Sequence, residues 1–419
     1  MSETEQEINL PVWQREHIFP PKQQESAYGV LLGKSQAKTF KEFSELEAHI
    51  SQWREPANLI WIPERERCFP PEEDPRLLNA LRKRKAAISD DELSSNRFRA
   101  FLFLLPIVFF VWKGLAEGRL LRSQELGLFG VLWLMFAGIP TYEAWKRRRR
   151  AVRLKAENLK SEAEEVRFEH WLQLQQIPVT KILLGLLIGV YFFQVLKGIP
   201  QSGGFLQSLW QPLELWGREQ VLAGLRESGL VKSDQSEIGY FYGEWWRLFT
   251  APMLHGLLIH IVMNGLGLLY LGRRTEVMAS WPHLVLVFLV AMLSGGIASA
   301  YGLPTQAMVG ASGGVMGLLG FLLVFERLHG RLVPKPASRR LSAALIFTFI
   351  IGFAGYSIID NWAHGGGLVA GMVYAAIVFP KSSSPHRPRA TRTDQLLGVV
   401  AGVMVVTGAL FAIIRMKGF

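Results

Sequence analysis

Apolar residues are scattered up to about residue 97 and then gather into long runs separated by short polar stretches. Crossing a bilayer takes about 20 residues of helix. By that length nine spans are predicted, near 98–116, 125–142, 179–197, 249–271, 283–302, 306–326, 340–358, 361–379 and 395–414. Arg99 and Lys113 crowd the first span, and Pro140 ends the second. Residues 1–97 read differently. PVWQREHIFPPKQ and WIPERERCFPPEEDP are charged and proline-rich, while TFKEFSELEAHISQW sets Phe40, Phe43, Leu46 and Ile50 on roughly one helical face. The expected fold is an all-α polytopic membrane protein. It has a small soluble N-terminal domain over 1–97, a transmembrane hairpin over 98–142 and a charged helical connector over 143–178. Six further spans follow over 179–380, then a linker with one last span over 381–419.

Charge orients these spans. The chain has 419 residues and a net charge of +11, from 46 Lys+Arg against 35 Asp+Glu. In a soluble protein such an excess points toward nucleic acid. Here the basic residues cluster beside apolar runs, no nucleic-acid-binding motif is visible, and the mean hydropathy is +0.19. Lys146 to Arg150 (KRRRR) follow the second span, and Arg273 and Arg274 the fourth. Arg327, Arg331, Lys335, Arg339 and Arg340 follow the sixth, and Lys381, Arg387, Arg389 and Arg392 the eighth. All lie on one side if all nine spans cross, and that side is expected to be the cytoplasm. The N-terminus is then cytoplasmic and the C-terminus external. Glu3, Glu5, Glu7 and Glu16 are the wrong charge for a secretory n-region. The single cysteine, Cys68, leaves no intramolecular disulfide and no cysteine metal site. The connector reads as a solvated helix, with attraction to anionic lipid headgroups as its alternative. In the one long external loop, 198–248, Leu206, Trp210, Leu213, Leu215 and Trp216 suit an amphipathic segment lying in the interface.

Three stretches carry candidate chemistry. VGASGGVMGLLG (309–320) holds G-x-S-x-G around Ser312, the pattern of a hydrolase nucleophile elbow. The strand and soluble α/β sheet that such an elbow needs are not predicted here. Gly310/Gly314 and Gly313/Gly317 are also G-x-x-x-G pairs, so this stretch alone reads equally well as a packing face. NWAHGGGLVAG (361–371) puts His364 near the start of its span, with Gly367 and Gly371 again four apart. An ionisable residue within a span is a functional candidate by default, although it also serves as a hydrogen-bonding partner inside a bundle. Ser312 comes about six residues and His364 about three residues into spans that enter from the same side. Glycine faces on both helices would let base and nucleophile approach to hydrogen-bond distance. APMLHGLLIHIVMNGLG (251–267) places His260 and Asn264 at i and i+4 on one face, 11–15 residues into its span and somewhat deeper. Their side chains suit donation to a developing oxyanion, with interhelical hydrogen bonding as the bland alternative. A metal site is disfavoured because no carboxylate stands at ligand spacing. His255 fits a supporting role.

Together these stretches, with EWWRLFT (244–250) and YLGRRTE (270–276), resemble the rhomboid family of intramembrane serine proteases over residues 179–380, about half the chain. The resemblance implies a six-helix core with a water-accessible cavity opening outward and a Ser–His dyad without a catalytic acid. Ser312 would be the nucleophile and His364 the general base. His260, Asn264 and the backbone N–H of Ser312 would form the oxyanion hole. Gly310, Gly313, Gly367 and Gly371 would support this site, Trp246 and Arg247 would be structural, and no cofactor is implied. The substrate would be a transmembrane segment entering laterally between the fourth and seventh spans, in a bacterial inner membrane. Where some relatives have a tyrosine four residues after the serine, this chain has Met316, whose sulfur can pack against an imidazole. Asp360, one turn before His364, is expected to face water or cap its helix rather than act as a triad acid. An inactive client-binding relative is the second reading. A transporter would predict paired broken spans and buried midplane charges.

Overall fold

The apolar runs fold as helices because a bilayer offers backbone N–H and C=O groups no other partner. In this computed structural model the structure describes residues 9–22, 28–32, 36–54, 59–116, 118, 124–202, 239–256, 258–304, 306–356 and 358–416. The helices are α1 (Phe43–Gln52), α2 (Leu78–Ala116), α3 (Gln124–Trp133), α4 (Ile139–Val152), α5 (Ala156–Leu174), α6 (Pro178–Ser202), α7 (Leu258–Ala279), α8 (Trp281–Gly302), α9 (Ser312–Leu328), α10 (Lys335–Ala354), α11 (Asn361–Val378) and α12 (Arg392–Met416). Every expected span holds a helix. Among the described residues five helices are long and apolar enough to cross a membrane on their own. A sixth crossing is the pair Arg247–Met253 and Leu258–Ala279, bent by 96°. The chain is thus a mostly helical, polytopic integral membrane protein. The interfacial segment expected within 206–216 lies outside the described residues.

The chain divides into two units: residues 1–174 with 333–359, and residues 175–332 with 360–419. The first contains an antiparallel sheet of β1 (Tyr28–Leu32), β2 (Gln36–Phe40) and β3 (Leu59–Trp61) in the order β2-β1-β3. Phe40 therefore sits on a strand rather than on the predicted helix, while Leu46 and Ile50 are buried on α1 as their spacing implies. They share a core with Val30, Ile60, Leu81, Leu154 and Leu159. The last two come from the corner between α4 and α5. The expected solvated connector is in fact part of this unit, and α5 buries Phe168, Trp171 and Leu172. Pro140 does not end a helix: a π turn at Leu134–Gly138 precedes it and absorbs the missing N–H, so α3 runs on into α4. The hairpin stacks Phe103 on Phe136 and Phe110 on Phe129. Helix α10 belongs to this unit as well. Its Arg340 meets Glu165 at 2.5 Å and Glu169 at 3.2 Å on α5, and its Phe347 packs edge-on against Tyr142.

In the second unit α8 is the central helix, packed against α9, α11 and α12. Arg273 and Arg274 were expected in a loop, but α7 continues to Ala279. Arg274 is wholly buried and gives its Nε to Glu326 Oε1 on α9 at 2.5 Å. One turn of α7 thereby ties two helices. Glu276 accepts from the Val179 and Thr180 amides, at 3.0 and 2.7 Å, and from the Thr180 hydroxyl. These are N–H groups that the start of α6 leaves without an intrahelical partner. The YLGRRTE stretch is a brace between helices α6, α7 and α9.

Candidate functional site

The three stretches converge at helix N-termini, all within the second unit. Residues 307–311 are apolar but not helical, so Ser312 is the first residue of α9 rather than about six residues into a span. Likewise α7 begins only at Leu258, behind the bent segment Arg247–Met253. His260 is its third residue and Asn264 its seventh, much shallower than the sequence implied. His364 is the fourth residue of α11. Before α7 and α9 apolar character continues past the helix end, because the preceding loop is itself packed inside the protein: Ala251, Met253, Leu254 and Ala311 are buried.

Gly310 joins two of the stretches. Its φ is +115°, which disfavours any L side chain. Its amide donates to Ala251 O at 3.0 Å, which holds the loop beside the start of α7. A Cβ at Gly310 would lie 2.5 Å from His260 Cε1, 2.7 Å from His260 Nε2 and 3.5 Å from Asn264 Nδ2. Both candidate oxyanion donors therefore crowd the backbone two residues before Ser312. Asn264 is buried, and its Nδ2 has no hydrogen-bond partner among the described residues. A buried donor left unpaired is costly and calls for a functional account. The opening amides of α9 point out of the helix without intrahelical partners, and the macrodipole makes that end positive.

Glycines join the third stretch. A Cβ on Gly367 would overlap Gly313 O, and one on Gly371 would overlap Gly317 O. Helices α9 and α11 thus touch backbone to backbone along the paired G-x-x-x-G faces. A Cβ on Gly313 would stand 3.5 Å from Ala363 O, next to His364. Ser312 and His364 occupy neighbouring positions across that contact. No hydrogen bond joins their side chains among the described residues. Such bonds are often long until substrate binds. His260 and His364 lie within electrostatic reach of each other. Met316, one turn below Ser312, is buried.

Supporting residues take clear places. His255 is buried, its ring 5.1 Å and edge-on from that of His260, and its backbone is clamped by Gln194 on both amide and carbonyl. Arg247 is buried, gives its Nε to Glu244 at 2.7 Å and stacks over Trp246, whose ring meets Phe411 of α12 edge-on. Asp360 accepts from the Ala363 amide at 2.9 Å, capping the helix that carries His364, as expected. Its other carboxylate oxygen accepts from the Ser299 hydroxyl of α8. Ser299 and Gln194 escaped the sequence reading. Each is one polar residue in an apolar run, and its partner lies about 60 residues away.

Residues 242–381 match the family model described as Rhomboid domain. The chain is 30% identical to RHOMBOID-like protein 4 of Arabidopsis thaliana over 208 residues, 46% of this chain and 50% of that protein. It is 35% identical to Rhomboid protease GluP of Bacillus subtilis strain 168 over 192 residues, 46% of this chain and 34% of that protein. It is also 31% identical to Inactive rhomboid protein 2 of Homo sapiens, over 37% of this chain and 18% of that one. The chain spans half or less of the length of each of these three relatives. The matched region holds the helix N-termini just described, with Ser312, His364, His260 and Asn264 all inside it, and over that region the chain is similar to the rhomboid family.

Proposed function

We propose that the protein is an intramembrane serine endopeptidase that hydrolyses peptide bonds in or near transmembrane segments of membrane-protein substrates. One observation carries the reading: His260 and the unpaired Asn264 amide press on Gly310, at the mouth of a helix that begins on a serine. In this mechanism Ser312 Oγ attacks the scissile carbonyl carbon while His364 takes the hydroxyl proton. The carbonyl oxygen, now an oxyanion, accepts from His260, Asn264 and the Ser312 amide. Collapse breaks the C–N bond, and His364 returns the proton to the departing amine. Water then attacks the acyl-enzyme by the same route. With no acid on the imidazole, packing between α9 and α11 must orient it. The basic loops favour a cytoplasmic N-terminus and an external C-terminus, as in a bacterial inner membrane. Similarity to an inactive rhomboid protein supports a second reading, a client-binding protein that does not cut.

Cleavage of a model transmembrane substrate in proteoliposomes tests both. Wild type is expected to cut, with Ser312→Ala and His364→Ala each reduced by at least about a thousandfold. Retained cleavage by Ser312→Ala would overturn the nucleophile. Failure of wild type to cut any of several substrates, together with failure of a serine-reactive probe to label Ser312, would favour the client-binding reading.

A further inference from the structure

On α2, Asp90, Leu93, Ser94 and Arg97 stand at i, i+3, i+4 and i+7 and so share one face. Opposite them on α4 stand Trp145 and Arg148. These six residues line an open groove of about 460 Å³, wholly within the first unit. Leu93 and Trp145 supply apolar wall, and the two arginines supply positive charge. Among the described residues Arg148 spends only its Nε, on Asp90 Oδ1 at 2.5 Å. Arg97 is exposed and has neither hydrogen bond nor ion pair among the described residues.

The groove lies where both helices change character. Immediately after Arg97, α2 exposes Phe98, Phe101, Leu102 and Leu105, with Phe98 at 70%. On α4, exposed Tyr142 and Trp145 directly precede the KRRRR run. Aromatic side chains followed by cations mark the boundary between hydrocarbon and headgroup. The run itself is largely spoken for. Arg147 meets Glu92 at 2.8 Å, Lys146 meets Glu143 at 3.9 Å, and Arg149 stacks over Trp145 at 4.5 Å. Diffuse attraction by five free cations is therefore not what this surface offers. It offers a local pair of guanidiniums beside a hydroxyl, at headgroup depth, next to bare aromatic and aliphatic side chains. Guanidinium suits phosphate oxygens through paired charge-assisted bonds. We propose that this groove is a binding site for the headgroup of an anionic phospholipid. The phosphate lies between Arg97 and Arg148 with Ser94 as a further donor, and the acyl chains run along Phe98 and Phe101.

The test uses the full chain, stripped of lipid in detergent and then offered phosphatidylglycerol or phosphatidylcholine, with bound lipid counted by native mass spectrometry. Arg97→Gln removes a side chain that is exposed and has no hydrogen bond or ion pair among the described residues, so folding is not at stake. Arg150→Gln removes the same charge from the neighbouring helix and outside the groove. Expected are preferential retention of phosphatidylglycerol by wild type, a loss of about fivefold or more in Arg97→Gln, and a change of less than about twofold in Arg150→Gln. Equal losses in the two variants would mean attraction to the basic run as a whole and would overturn the site. So would retention of both lipids alike, or full retention by Arg97→Gln. Competition with inorganic phosphate separates the sources. The lipid is expected to stay bound, and its displacement would reassign the groove to a soluble anion.

Discussion

At the scale of single residues, Gly310 is constrained twice, by its backbone conformation and by its neighbour. Its φ of +115° and the approach of His260 leave no room for a methyl group. Gly310→Ala would have to push the imidazole aside or rotate the loop, and either movement displaces a proposed oxyanion donor. Losing one such donor costs about 10²–10³ in kcat. The variant is expected to fold, retain its melting temperature within a few degrees and lose cleavage by that order, as measured in proteoliposomes. Unchanged turnover would separate Gly310 and its neighbours from the chemistry. As candidates, Ser312, His364, His260 and Asn264 were legible in the sequence because polar residues in apolar runs stand out. So was the capping role of Asp360. The reason for Gly310 was not, since the atoms that exclude a side chain there arrive from α7, some 50 residues earlier.

At the scale of elements, the glycine spacing on α9 and α11 reads directly as a close helix contact, and the structure contains one. Helix starts were less legible. Hydropathy reports burial, not helicity, and the loops before α7 and α9 are apolar because they are buried. The contact itself is testable. A methyl group at Gly371 would overlap Gly317 O, which is backbone and cannot rotate away. Gly371→Ala should therefore part α9 from α11, at a cost of about 1–3 kcal/mol from overpacking. Alanine recovers only about 0.5–1 kcal/mol through helix propensity. Gly189→Ala on α6 makes the same exchange where nothing lies within 4 Å. Thermal unfolding in detergent should show Gly371→Ala lowered and Gly189→Ala level or raised. Equal midpoints would argue that the two helices are not locked by these glycines.

At the scale of the molecule, hydropathy alone misled about where the N-terminal part ends. Its core takes Leu154 and Leu159 from beyond the hairpin, and α5 packs into it as well, so the unit closes only after the chain has run through α2, α3 and α4. Nothing in residues 1–97 announces that dependence; the missing apolar partners simply lie later in the sequence. The joint between the N-terminal segment and α5 gives this unit a pH dependence. Trp13 packs edge-on against Phe168, Phe19 stacks on His170 at 5.3 Å, and Arg167 binds Glu73. Burial lowers the pKa of His170 below its ordinary value. The folded joint thus binds fewer protons than the unfolded chain. Its contribution is complete above the free histidine value of about 6.5 and declines as pH falls toward the depressed folded value. Hydrogen exchange of residues 9–22 should accelerate between pH 7 and pH 5 once the intrinsic pH effect is removed. In His170→Phe, which keeps a ring against Phe19 and cannot take a proton, the acceleration should vanish. If the variant accelerates as wild type does, the titrating group lies elsewhere, and Glu165 is then excluded by sign: burial raises its pKa, so its contribution is present in acid and fades as pH rises.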